Sequence, residues 1–202
     1  MIKNIIFDFG DIFINLDKAA PINAFLELGL TTPIKEVNAL NELYEVGNIS
    51  TEKFLSQYKK WLPNAYEYEI VSAWDSILKD FPKYRLEFLQ KLKAENKYRL
   101  FLLSNTNNLH IDNIKKTVPF FKEFKDCFEV FYLSQEMHLR KPNDDIFEFV
   151  LNNNSLVAKE TIFIDDTKEN TDTASKLGMQ TWNLQPGKED VIDLFKIKAN
   201  LF

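Results

Sequence analysis

Five short apolar runs, each closed by polar residues, set the rhythm of this chain: Asn4–Phe7, Tyr98–Leu103, Val130–Leu133, Thr161–Ile164 and Gln180–Leu184. They are too brief for helices and rich in β-branched or aromatic residues, the pattern of strands buried on both faces. A segment of helical spacing precedes each of the last four. Lys83–Glu95 carries Leu86, Leu89 and Leu92 three residues apart, Asn108–Thr117 and Asp144–Asn152 follow, and Lys168–Leu177 stops at Gly178. Strand and helix in alternation predict an α/β fold, a parallel sheet with helices on both faces.

Between the first two runs the pattern is helical throughout. Lys18–Leu28 closes at Gly29, and Pro33 opens a helix from Ile34 to Val46. Ser50 or Thr51 caps a third helix that aligns Phe54, Leu55, Tyr58 and Trp61 before Pro63 ends it, and Tyr66–Leu78 makes a fourth with Ile70, Val71 and Trp74 on one side. This predicts an inserted four-helix unit, residues 15–81, on a core built from residues 1–14 and 82–202.

Composition narrows the function. A net charge of −5 without a long basic run gives no footprint for nucleic acid. Cys127 is the single cysteine, which excludes an internal disulfide and every multi-cysteine metal site and reads as a small buried apolar residue. His110 and His138 are too few for a histidine-rich metal centre. The apolar runs fall short of a membrane span, and no charged, apolar leader precedes the first strand, so the expectation is a cytoplasmic protein without membrane contact.

Parallel strands put their carboxyl ends on one rim, where open α/β sheets bind ligands. Just past the strands stand Asp8, Ser104, the Arg140-Lys141-Pro142 loop and the pair Asp165-Asp166. Each has an ordinary reading: Asp8 as turn former, Ser104 as helix cap, Lys141 as solvated lysine, one of the paired aspartates as cap. Together they suit Mg²⁺, a hard cation held by oxygen donors. Lys141 and Ser104 would then hold phosphate oxygens, and attack by Asp8 would give an acyl phosphate that water hydrolyses.

In this order, Phe7-Asp8-Phe9-Gly10, Leu103-Ser104-Asn105-Thr106, Arg140-Lys141-Pro142 and Phe163-Ile164-Asp165-Asp166 resemble the four motifs of the haloacid dehalogenase (HAD) superfamily. The helical insertion sits where that superfamily carries a C1-type cap. Ser104-Asn105-Thr106-Asn107 with His110, Tyr132-Leu133-Ser134-Gln135 and Glu45-x-Gly47-x-Ile49-Ser50 resemble, more narrowly, its bacterial α-D-glucose-1-phosphate phosphatases. The resemblance implies a Rossmann-like core and a Mg²⁺-dependent phosphatase of small phosphorylated metabolites, sugar phosphates such as a sugar 1-phosphate among them. It makes Asp8 nucleophile and metal ligand, with Ser104, Lys141 and the Asn105 backbone amide on the phosphoryl group. Asp166 becomes the main further metal ligand, supported by Asp165 and Asn170, and the Gly10 carbonyl supplies one more oxygen. A monomer or homodimer acting on a small molecule is expected.

One position departs from that pattern. Such phosphatases usually carry a second aspartate two residues after the nucleophile, as general acid and base; here Gly10 stands there and Asp11 follows. In a regular strand Asp11 faces the other way, and reaching the site requires a backbone turn, expected at Gly10. Without the acid, acidic leaving groups such as an anomeric oxygen are favoured. In the insertion, Tyr44, Glu45 and Asn48 are the residues expected to face substrate, while its other aromatics form its core. Two alternatives stay open: a 2-haloacid dehalogenase, which needs no metal, and a slow-turnover binding or regulatory protein.

Overall fold

The computed structural model describes residues 1–202. The sheet consists of β1 (Asn4–Phe7), β2 (Arg99–Ser104), β3 (Val130–Leu133), β4 (Thr161–Asp165) and β5 (Gln180–Asn183). All neighbours pair in parallel, in the order β3-β2-β1-β4-β5, so β1 lies at the centre with Phe7 opposite both Leu102 and Ile164. Side chains alternate across it as a strand requires. Ile5, Phe7, Leu100, Leu102, Ile162 and Ile164 join one hydrophobic cluster, while Ile6, Phe101, Leu103 and Phe163 join another on the opposite face.

The insertion holds α1 (Ala20–Glu27), α2 (Ile34–Glu45), α3 (Thr51–Trp61) and α4 (Glu67–Asp75). The Ser50 hydroxyl caps α3 by accepting from Lys53 N at 3.2 Å. These helices enclose a hydrophobic cluster of their own, with Tyr44 stacked on Phe54 at 4.2 Å and Phe25 on Tyr58 at 4.5 Å. The fourth helix ends at Asp75 rather than Leu78, because the residues beyond it return to the core paired with the outgoing linker. Asp17 N donates to Ile77 O at 2.8 Å, Lys79 N to Asn15 O at 2.9 Å and Asn15 N to Asp80 O at 2.9 Å. Two linkers thus form a short antiparallel ribbon beside the rim, which fixes where Leu16 and Lys18 stand.

The remaining helices pack on the sheet: α5 (Lys83–Glu95), α6 (Asn108–Thr117), α7 (Phe121–Lys125), α8 (Ser134–Met137), α9 (Asp144–Asn153), α10 (Lys168–Lys176) and α11 (Leu194–Ile197). The short α7, α8 and α11 are additions to the elements expected from the sequence. On α5 the leucine stripe is buried, and so is Arg85, whose guanidinium bonds Asp190, Asn15 Oδ1 and Phe13 O. No helix is long and apolar enough to cross a membrane.

Candidate active site

Asp8 leaves β1 with its backbone N donating to Ile164 O at 2.9 Å, which sets it between the ends of β2 and β4. Lys141, in the loop between α8 and α9, places its Nζ 2.8 Å from Asp8 Oδ1 and 2.6 Å from Asp165 Oδ2, with its side chain only 1% exposed. Asn105 holds that loop: its Nδ2 donates to Lys141 O at 2.8 Å, and Lys141 N donates to its Oδ1 at 3.0 Å. The Asn105 side-chain amide is therefore committed to positioning Lys141. Asp165 also accepts from Thr167 N at 2.7 Å and from Asn170 Nδ2 at 3.0 and 3.1 Å, so both its oxygens are fully engaged.

Burial is the largest influence on Asp8 and pushes its carboxyl up to about 7; Lys141 opposes this, and Asp165 and Asp166 add to it. Burial would lower Lys141, but the Asp165 and Asp8 carboxylates outweigh it and keep the ammonium charged. Burial also raises Asp166, against the pull of Lys18.

Asp166 faces a different cation from its neighbour. Lys18, on the linker ahead of α1, bridges Asp166 Oδ2 and Asp11 Oδ2, the latter at 3.1 Å. Two adjacent like charges thus persist because each meets its own lysine. The turn that brings Asp11 round falls on Asp11 itself, at φ 56°, and not on Gly10. Asp11 Oδ1 accepts from Leu16 N at 3.0 Å, and its carboxylate meets Lys18 rather than the space beside Asp8. That space is filled from elsewhere: a Cβ on Gly10 would lie 2.6 Å from Leu16 Cδ1. A leucine methyl stands where a side chain at position 10 would begin.

The cleft at this rim has a volume of about 430 Å³, and 1 of its 13 lining residues is hydrophobic. Asp8, Gly10, Asn105, Lys141, Asp166 and Asn170 line it; Ser104 and Asp11 do not. Ser104 is buried behind it with a single 3.5 Å contact to Asn105 O. From the insertion comes Glu45, beside Arg140 with Nη2 to Oε2 at 3.3 Å; burial raises its carboxyl and Arg140 lowers it. Ser134 Oγ donates to Glu45 O at 2.6 Å and anchors this corner. Tyr44 is not in the cleft. Its ring stacks in the core of the insertion and its hydroxyl contacts Thr51 Oγ1 at 2.8 Å and accepts from Leu109 N at 3.2 Å, which corrects its expected place facing substrate. Lys18 and Leu16 line the cleft without being among the site residues the sequence predicts. Only the pairing of the linkers brings them to the rim.

Carboxylate oxygens of Asp8, Asp165 and Asp166 lie within 4.8 Å of one another. An all-oxygen set of this kind fits a hard divalent cation, and Lys141 beside it fits an anion. Among curated proteins the chain is 27% identical to D-ribitol-5-phosphate phosphatase of Bacteroides thetaiotaomicron, over 94% of this chain and 95% of that one. It is 25% identical to glyceraldehyde 3-phosphate phosphatase of Methanocaldococcus jannaschii, over 93% and 87%. A solved HAD family enzyme of Bacteroides thetaiotaomicron, in complex with magnesium and inorganic phosphate, superposes with a TM-score of 0.83 at 34% identity, covering 94% of this chain and 97% of that one. A family model described as haloacid dehalogenase-like hydrolase matches residues 5–184, and the chain belongs to that family.

Proposed function

We propose that this hydrolase releases phosphate from small phosphorylated metabolites through an aspartyl-phosphate on Asp8, and that its substrates are sugar or polyol phosphates, a sugar 1-phosphate among them. The observation that carries the reading is the Lys141 bridge: one buried ammonium joins Asp8 to Asp165, with the Asp166 carboxylate within 4.8 Å on the same rim. Relatives that cover nearly the whole chain are named as phosphatases of a pentitol and a triose phosphate, and one solved relative holds magnesium with phosphate.

The donor set fits Mg²⁺. Asp165 has no free lone-pair direction, whereas Asp166 meets only Lys18, so Asp8, Asp166 and the Gly10 carbonyl are the residues that would hold the ion. Bound there, Mg²⁺ supplies positive charge to the phosphoryl oxygens. The other steps belong to the chain. Lys141 draws the phosphoryl group toward Asp8 and offsets charge on its oxygens, with the Asn105 backbone amide adjoining. Asp8 Oδ forms a bond to phosphorus as the ester oxygen leaves with the bonding pair; water then attacks the acyl phosphate, releasing inorganic phosphate and restoring the carboxylate. Residues 15–81 act as a cap that excludes water during this exchange.

Gly10 bears on the substrate. No carboxyl stands at the position of the usual acid, and Leu16 occupies the adjoining space. A leaving oxygen that is already acidic, such as an anomeric one, depends least on the missing proton donor, whose loss costs about 10²- to 10⁴-fold in rate. The test is phosphate release from a panel of phosphomonoesters with and without Mg²⁺, with Asp8→Asn as control. The expected result is Mg²⁺-dependent turnover that Asp8→Asn abolishes, with glucose 1-phosphate ahead of glucose 6-phosphate. An active Asp8→Asn protein removes Asp8 as nucleophile, and equal rates on the two glucose phosphates remove the anomeric preference.

A further inference from the structure

The polar cleft adjoins a second space. Lys18 and Glu45 line the cleft and also a cavity of about 220 Å³ between the helices of the insertion. The two spaces differ in chemistry: 7 of 12 lining residues are hydrophobic in the second, against 1 of 13 in the first. Ile22, Phe25, Val37, Tyr58, Trp74 and Ile77 form its walls. The polar ends of the two amphipathic rings are already committed, Tyr58 OH donating to Asn41 Oδ1 at 2.9 Å and Trp74 Nε1 to Asn107 Oδ1 at 3.2 Å. Phe25 and Tyr58 are stacked at 4.5 Å, so the wall is preformed.

We infer that this cavity is a subsite for an apolar, ring-sized group carried on the far end of the leaving group. The inference rests on the phosphatase reading and narrows it: the substrate is a sugar or polyol phosphate with an apolar or aromatic substituent. The hydroxyl-bearing segment passes between Lys18 and Glu45, where a charged pair of walls suits it, and the substituent leaves water for the apolar space beyond. Two shared residues make the occupant part of the same molecule, and the volume admits a ring but no folded partner. Burying such a ring is worth about tenfold in kcat/KM at the usual gain per unit of apolar area. Because the ring is remote from phosphorus, the gain falls on KM rather than on kcat.

Matched esters test this with Mg²⁺ present. The 6-O-methyl and 6-O-benzyl ethers of glucose 1-phosphate share the anomeric leaving oxygen, and ribose 5-phosphate and uridine 5′-monophosphate share a primary one. The ring-bearing member is expected to show about tenfold higher kcat/KM in at least one pair, through a lower KM. Ile22→Trp, which fills the cavity from within, and Ile34→Trp, at an exposed position on its lip, are each expected to bring that ratio toward one. Ratios near one in both pairs for the unaltered protein overturn the subsite and leave the phosphatase reading standing. Absence of phosphate release from all four esters and from every member of the phosphomonoester panel overturns the phosphatase reading itself.

Discussion

Two lysines bridge pairs of aspartates at this rim, and they do so in opposite surroundings. Lys141 joins Asp8 and Asp165 at 2.8 and 2.6 Å with a side chain 1% exposed, from a loop of the core that Asn105 clamps on both sides. Lys18 joins Asp11 and Asp166 from a linker ribbon, with a side chain 55% exposed. Away from water, two carboxylates sit together only if a cation lies between them, so the first bridge is a fixed part of the fold. In the second bridge the two carboxylates are also largely covered, at 11% and 8% exposed, but the ammonium that joins them is reached by water. The rim therefore has a half that presents Asp8 on a buried bridge and a half in which Asp166 meets a cation reached by water.

The largest expected effect comes from breaking the buried bridge. Lys141→Met leaves Asp8 and Asp165 facing each other unpaired, and unfolding by denaturant should show a loss of about 3–5 kcal/mol together with loss of phosphate release. A loss no larger than that of Lys18→Ala would place Lys141 in the same class as Lys18.

Burial without a countercharge gives the intermediate case. His110, where the insertion meets α6, stacks on Trp74 with ring centroids 5.0 Å apart. Its Nε2 donates to Trp74 O at 3.2 Å while Nδ1 accepts from Asn107 Nδ2 at 3.0 Å, which fixes the neutral tautomer. Burial lowers its pKa to about 4, and Trp74 O restores only part of this; Asp75 Oδ1 lies 3.9 Å from Nε2 without a hydrogen bond to it. Between pH 6.5 and 4 the unfolded chain therefore binds more protons than the folded one, so stability falls as pH falls through that window. The expected loss is up to about 3 kcal/mol. Unfolding curves for His110→Gln should be correspondingly flatter over the same range, and a parallel pair of curves would show that His110 carries no such linkage.

Lys18→Ala should cost folding less than Lys141→Met, since its ammonium is 55% exposed and water can reach the Asp11 and Asp166 oxygens that it leaves. It also removes the ammonium that competes for Asp166, so the half-saturating Mg²⁺ concentration for phosphate release should fall. A rise would mean that Lys18 supports the cation rather than competing with it.

Most of the architecture was legible because local pattern and tertiary role agreed. Ile5-Ile6-Phe7 shows its double-sided burial in its composition, and the stripe Leu86, Leu89, Leu92 names its own buried face. The charged rim was legible too, since Asp8, Lys141, Asp165 and Asp166 follow apolar runs whose ends must share one edge. What stayed hidden depends on contacts distant in sequence. The early end of α4 comes from pairing of Ile77 and Lys79 with residues 15–17, and α7, α8 and α11 are too short to show a period. Tyr44 sits one residue from Glu45, and only the packing of Phe54 decides which of the two enters the cleft. The filling of the space beside Gly10 by Leu16 has no local signal at all, because it arises where the linker crosses the rim.

The central claim is that the half of the rim with the buried bridge presents Asp8 to a phosphoryl group. Beryllofluoride, which mimics a phosphoryl group on a carboxylate, tests it directly by ¹⁹F NMR of the protein with and without Mg²⁺. A Mg²⁺-dependent bound signal in the unaltered protein that is missing from Asp8→Asn is the predicted result. A protein that forms no such complex, or one in which Asp8→Asn forms it equally well, contradicts the account.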